Sequence, residues 1–270
     1  MHITFIGGGN MAAALVGGLV GKGFAPAAIK VVEPAPAARE RLARDHGVAC
    51  VERADDAAPF GDVVVLAVKP QQMDEAARSI APHLADELVL SIAAGIRLAS
   101  VQRWLGGYAR LARCMPNTPA LIGAGVTGLY ARPDAGAEGR SHAQAILEAV
   151  GEVIWVEEEA LLDPVTAVSG SGPAYVFYFI EALERAAREL GLDGNAARRL
   201  AIGTFRGAAE LAARSPESPG TLRERVTSKG GTTERALATM GGDRVADLIV
   251  RAVGAANDRA RELGDELGKG

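Results

Sequence analysis

The stretch Thr4-Phe5-Ile6-Gly7-Gly8-Gly9-Asn10-Met11-Ala12-Ala13-Ala14 decides the fold. An apolar run enters a glycine turn and an alanine-rich segment leaves it, which reads as strand, turn, helix. A helix that starts at once after such a turn aims unpaired backbone N–H groups and the positive end of its dipole at one spot. That spot suits a phosphate. The spacing Gly7-x-Gly9-x-x-Ala12 matches the G-x-G-x-x-A form of the dinucleotide fingerprint. Gly7 serves the tight turn, Gly9 the approach of a pyrophosphate, and Ala12 the packing of helix on strand. A plain β–α turn shares the local pattern, so the context has to discriminate.

Working outward, residues 1–157 alternate short apolar strands with helical patterns. Strands are expected at His2–Ile6, Ile29–Glu33, Val48–Val51, Val63–Val68, Leu88–Ala93, Arg110–Cys114, Gly125–Tyr130 and Val153–Val156. Helices are expected at Asn10–Gly21, Ala37–His46 and Ala135–Val150. Val63-Val64-Val65-Leu66-Ala67-Val68 is apolar throughout, as a strand buried on both faces must be. The alternation predicts a parallel, doubly wound sheet of Rossmann type. From residue 158 to 270 the strand signals stop and an all-α domain is expected. Its first helix, Asp163–Leu190, is loosened at Ser169-Gly170-Ser171-Gly172-Pro173. Glu181 with Arg185 and Glu184 with Arg188 stand as i,i+4 pairs on its solvated face. Tyr175-Val176-Phe177-Tyr178-Phe179-Ile180 has no polar side, so it needs cover all round, and a second subunit can supply it. Further helices are expected at Gly194–Arg214, Thr221–Thr227, Thr232–Met240 and Asp243–Leu267.

Composition narrows the function. The chain has 270 residues, 49% hydrophobic and 23% charged, which is globular. A net charge of −4 and the lack of a Lys/Arg cluster argue against nucleic acid. No apolar run is long enough to span a bilayer and no secretory leader is evident. The two cysteines, Cys50 and Cys114, have no metal or redox spacing, so a reducing cytoplasm is expected. The four histidines are scattered, and no metal site is expected.

Ligands of an open parallel sheet collect outside the carboxyl ends of its strands. Beside the glycine turn, three segments end there: Ala67-Val68-Lys69-Pro70, Ser91-Ile92-Ala93-Ala94-Gly95 and Arg113-Cys114-Met115-Pro116-Asn117-Thr118-Pro119. A lysine fixed by a proline, small residues that admit a flat ring, and a rigid loop carrying Asn-Thr suit a dinucleotide. In the helical half, Val226-Thr227-Ser228-Lys229-Gly230-Gly231-Thr232-Thr233-Glu234 offers a second anion cradle at a helix start. Simple capping by Thr232 or Thr233 fits the same residues.

These segments, with Ala167-Val168-Ser169-Gly170-Ser171-Gly172-Pro173-Ala174-Tyr175, occur in the order seen in Δ1-pyrroline-5-carboxylate reductases, and the chain resembles that family over nearly its whole length. The resemblance implies hydride transfer from NAD(P)H to the C=N carbon of 1-pyrroline-5-carboxylate, the last step of proline synthesis. It implies a homodimer through the helical domain, often assembled into a decamer. By matching position it implies a cofactor site of Ile6, Gly7, Gly8, Gly9, Asn10, Met11, Ala67, Val68, Lys69, Pro70, Ala93, Ala94 and Asn117, to which Glu33 is added from its own place at the end of the second strand. It implies a substrate site of Ser228, Gly230, Gly231, Thr232 and Thr233, the Thr233 hydroxyl lying near the ring nitrogen as the catalytic group. In this family the loop and the nicotinamide pocket can come from different subunits.

Some residues depart from the family pattern. Lys229 stands where most relatives have proline, and Ala54 lies where many carry a cofactor-binding asparagine. Glu33, 21 residues after Ala12, sits where an acid commonly takes the ribose 2′-OH of NAD and repels the 2′-phosphate of NADP. Arg39 and Arg41 follow and could reach a phosphate if Glu33 turns away. NADPH is therefore expected, with NADH possible. A β-hydroxyacid dehydrogenase would need a lysine on the long helix, and residues 172–192 contain none. A dinucleotide sensor without turnover would show a broken substrate loop, yet Gly230-Gly231-Thr232-Thr233 is intact.

Overall fold

The computed structural model describes residues 1–268. Eight strands form one sheet: β1 (Ile3–Ile6), β2 (Ile29–Val32), β3 (Ala49–Val51), β4 (Val63–Leu66), β5 (Leu88–Ser91), β6 (Leu111–Met115), β7 (Gly125–Ala131) and β8 (Gly151–Trp155). Their order is β3-β2-β1-β4-β5-β6-β7-β8. The direction of winding reverses between β1 and β4, and the opening there is the topological switch point.

All eight expected strands are present with ends shifted by a few residues. The sheet is not wholly parallel, however. β6 and β7 pair antiparallel, Cys114 opposite Leu129, while every other pair is parallel. The connection, residues 116–124, is shorter than the roughly dozen residues a parallel crossover needs, so the chain turns straight back.

Both faces of the sheet are covered, which explains the unbroken apolar strands. Ile3, Phe5, Val63, Val65, Leu88 and Leu90 point into one core with Leu15, Val16 and Leu19 of α1 (Asn10–Gly21), Leu42 of α2 (Pro36–His46), and Ile146 and Leu147 of α6 (Gly136–Glu148). Ile6, Val64, Leu66 and Val89 point into the other. There they meet Ala57 of α3 (Ala54–Ala57), Met73, Ala77 and Ile80 of α4 (Met73–Ile80), and Leu98 and Val101 of α5 (Leu98–Trp104). These three short helices were not expected. Met73, Ala77 and Ile80 do recur at i, i+4 and i+7, the signal from which α4 is legible.

The chain divides into two compact units, Met1–Ser171 with everything from Ala256 on, and Gly172–Ala255. Packing thus places the division later than residue 157. The helix α7 (Leu162–Val165) lies on the sheet, with Leu162 fully buried and the Val165 side chain filling the space beside Gly128. At the far end of α12 (Val245–Leu267), Leu263 and Leu267 close on Gly95, and Gly264 on Arg97.

The second unit is helical: α8 (Gly172–Glu189), α9 (Gly194–Arg214), α10 (Pro219–Arg225), α11 (Thr232–Gly242) and the first part of α12. The expected interruption of the long helix is a π-type turn at Thr166–Gly170, where Ser171 N–H donates to Thr166 O at 2.8 Å. Asp193 caps α9 by accepting from the Asn195 and Ala196 N–H groups, and Ser218 caps α10. Arg188 pairs with Glu184 at 2.6 Å as expected, but Arg185 lies against Glu189 at 3.8 Å, not Glu181. Phe179 stacks on Phe205 of α9. No residue of α8 is buried, and Phe177 and Tyr178 are 59% and 70% exposed. Within one chain, the apolar run lacks the cover that its composition demands.

Candidate active site

At the switch point lies a cleft of 630 Å³ lined by residues of the carboxyl ends of β1–β4 and by α4. Gly7 ends β1 at φ +100°, and a Cβ there would meet Ala67 O at 2.8 Å. Only glycine serves both the backbone angle and the close approach. Gly7 N–H donates to Val32 O, and Ala67 N–H to Ile6 O, so the ladder holds the turn between its two neighbours. Gly9 is the N-cap of α1, no side chain caps that helix start, and a Cβ on Gly9 would meet nothing within 4 Å. The first-turn donors and the open side of Gly9 fit a dinucleotide pyrophosphate.

Of the cofactor candidates, Ile6, Gly7, Gly9, Glu33, Ala67, Val68 and Lys69 line this cleft. Gly8 does not: its N–H donates to Glu33 Oε2 at 2.8 Å. Glu33 Oε1 accepts from Ala35 N–H at 2.9 Å, so both carboxylate oxygens are tied to main chain. Asn10, Met11 and Pro70 adjoin the cleft in sequence without lining it. Glu52, Arg53, Ala54 and Asp55 after β3, with Gln72, Glu75 and Ser79, line it although they were not singled out as site residues. Of these only Ala54 carries a sequence signal, as a missing asparagine. Asp55 accepts from His83 at 2.9 Å and from Arg53 at 2.9 Å, and these bonds, His83 first, hold its carboxyl below the usual range.

Ala93, after β5, is buried with its N–H toward Ser91 Oγ at 3.4 Å, and Ala94 is half-buried. Asn117 is a clasp. Its Nδ2 donates to Ser169 O and Oγ, both at 3.2 Å, and its Oδ1 accepts Val126 N–H at 2.9 Å. Ser169 Oγ donates to Val126 O at 3.3 Å. One amide thus joins the end of β6, the start of β7 and the π-type turn, a turn type frequent at functional sites.

In the second unit, Gly230 has φ +71° and Gly231 is the N-cap of α11, again without a side-chain cap. Neither Thr232 nor Thr233 takes the capping role. Glu234 reaches back instead and accepts Gly230 N–H at 2.7 Å, while Gly231 N–H donates to Ser228 O at 3.0 Å. Thr233 is half-buried; Ser228, Lys229, Gly230 and Thr232 are exposed. No side chain caps the donors of the first turn.

A second cleft, of 610 Å³, opens at the amino ends of the strands. Several of its charges are engaged within the chain: Lys30 donates to Ala57 O, Arg110 pairs with Asp86, and Asp62 accepts His2 N–H. Among the described residues no cluster of His, Cys, Asp and Glu suits a metal ion, and no helix is long and apolar enough to cross a membrane.

Over 269 residues the chain is 44% identical to a pyrroline-5-carboxylate reductase of Pseudomonas aeruginosa, covering 99% of this chain and 98% of that one. The chain belongs to the pyrroline-5-carboxylate reductase family. A reductase of this family from Vibrio alginolyticus is 41% identical over 263 residues, 97% of each chain. The solved reductase of Coxiella burnetii superposes with a TM-score of 0.93 at 40% identity, covering 97% of this chain and 98% of that one. That of Plasmodium falciparum, solved with NADP bound, gives a TM-score of 0.87 at 25% identity, covering 98% of each. Residues 159–263 match the family profile for pyrroline-5-carboxylate reductase dimerisation, and residues 2–95 one for NADP oxidoreductase, coenzyme F420-dependent.

Proposed function

We propose that this protein reduces the C=N bond of 1-pyrroline-5-carboxylate to give L-proline, with NADPH as reductant and NADH as an accepted alternative. What carries the reading is the Ser228–Thr233 loop: intact, opening a helix without a side-chain cap, in a chain of this family from end to end. Residues 1–157 serve the dinucleotide, and residues 158–270 serve substrate and dimer. The dimerisation profile, starting at residue 159, supports that functional division. The exposed Phe177 and Tyr178 supply a face for a homodimer, which further contacts build into a decamer. No nucleic acid or membrane takes part, and the free thiols Cys50 and Cys114 suit the cytoplasm.

When bound, the dinucleotide supplies the hydride. Gly7, Gly9 and the first turn of α1 hold its pyrophosphate; Val68, Lys69, Pro70, Ala93 and Ala94 border the nicotinamide. Asn117 acts on that pocket by fixing the strand ends around it. The backbone N–H groups of the Gly230–Thr233 segment hold the substrate carboxylate, and the Thr233 hydroxyl orients the ring nitrogen. A cyclic imine arrives already protonated and accepts hydride with little further proton transfer. A site without histidine, thiol or carboxylate pair therefore works mainly by holding its ligands in register.

The test is loss of absorbance at 340 nm on mixing protein, NADPH or NADH, and pyrroline-5-carboxylate, beside a six-membered cyclic imine. Turnover with the five-membered ring is expected. Tight dinucleotide binding without turnover would make the protein a sensor, and faster turnover of the larger ring would reassign the substrate.

A further inference from the structure

We propose that Glu33 sets the choice of dinucleotide, its charge opposing the 2′-phosphate so that NADH remains a usable reductant. The inference rests on the dinucleotide reading of the cleft. Three observations carry it. First, the carboxylate is fixed where β2 ends, with Oε2 on Gly8 N–H at 2.8 Å and Oε1 on Ala35 N–H at 2.9 Å. It lines the cleft and is not turned away. An acid at this strand end lies beside the adenosine ribose, where it accepts from a 2′-OH and repels a 2′-phosphate.

Second, the arginine that could answer a phosphate is already engaged. Arg39 Nη1 donates to Glu33 O and Pro34 O, both at 2.7 Å, and Nη2 pairs with Glu52 at 3.2 Å. Arg41 is exposed and does not line the cleft. Arg53 does line it, but pairs with Asp55. Third, the charged residues of the cleft are Glu33, Glu52, Asp55 and Glu75 against Arg53 and Lys69, an acidic balance around the position of an incoming dianion.

The same bond gives Glu33 a second task, since it orders the glycine turn through Gly8. Two variants separate charge from tether. Glu33→Gln loses the charge and keeps one of the two oxygen acceptors, whereas Glu33→Ala loses the charge and both acceptors. Dissociation constants for NAD+ and NADP+ are to be measured by titration calorimetry on the full chain, with kcat/KM for NADH and NADPH beside them. For the wild type the two cofactors are expected within about tenfold of each other, a difference of about 1.4 kcal/mol. Glu33→Gln is expected to tighten NADP+ relative to NAD+ at least tenfold, and less so at high salt, where the charge is screened. The proposal is overturned if the variant moves both constants together, or if only Glu33→Ala changes their ratio, because Glu33 then acts through the turn alone. Failure of the wild type to bind either dinucleotide is a distinct result; it removes the dinucleotide reading and this inference with it.

Discussion

Two helix starts in this molecule are built alike and held differently. At Gly9 and at Gly231 a glycine is the N-cap, no side chain caps, and a glutamate accepts the N–H of the preceding glycine. In the first, the glutamate is Glu33, brought by a neighbouring strand, and Gly7 is wedged against the Ala67 carbonyl. In the second, the glutamate is Glu234 of the same helix, and a Cβ on Gly230 would meet nothing within 4 Å. One cradle is set by the sheet. The other is made locally and stands exposed in a unit whose apolar helix α8 is itself uncovered.

That contrast can be broken most directly at the glycines. Gly7→Ala combines φ +100° with a 2.8 Å approach to a carbonyl oxygen, and is expected to cost about 3 kcal/mol of unfolding free energy and dinucleotide binding with it. Gly230→Ala, strained at φ +71° but unobstructed, should cost about 1 kcal/mol. Equal losses in urea denaturation would end the distinction. A charge on the open face of α8 tests the second region's need for cover. Phe177→Asp should weaken self-association by about 2 kcal/mol or more, read by sedimentation, and lower turnover while leaving NADH binding in the cleft intact.

Within the second cradle, Thr233→Ala should lower kcat/KM at least tenfold, about 1.4 kcal/mol, without loss of fold. Unchanged kinetics would remove Thr233 from the reaction. The smallest effect belongs to the rim of the first. Asp55 is held below its ordinary value of about 3.9 by His83 and then Arg53. A depressed carboxyl adds stability that is complete above the unfolded value and lost as pH falls through the folded one. His83→Ala should therefore make the loss of stability as pH falls below about 4 shallower, seen as a smaller drop in Tm.

The candidate segments could be singled out because their signals are local. The glycine turn, Lys69-Pro70 and the Ser228–Thr233 loop each carry their chemistry within a few residues. Asn117 was found from its loop, but its partners Val126 and Ser169 are distant in sequence, so its part as a clasp was not. Glu52, Asp55 and Glu75 escaped as site residues for the same reason: each is an ordinary surface acid until the winding of β3 and α4 sets it on the cleft. Each strand of the antiparallel β6–β7 pair reads alike in either direction, and only the short connection, residues 116–124, signals the turn back.

Adjacent residues carried the eight strands, the longer helices and the two glycine-led helix starts. Apolar period, glycine spacing and helix starts are properties of adjacent residues, and they need no folded chain to be read. Where Glu33 points, what occupies Arg39, and which N–H of the glycine turn is already taken follow from packing alone. Those depend on which strands lie side by side, and the hydrogen bonds that fix them join residues 25 apart in the chain for Gly8 and Glu33.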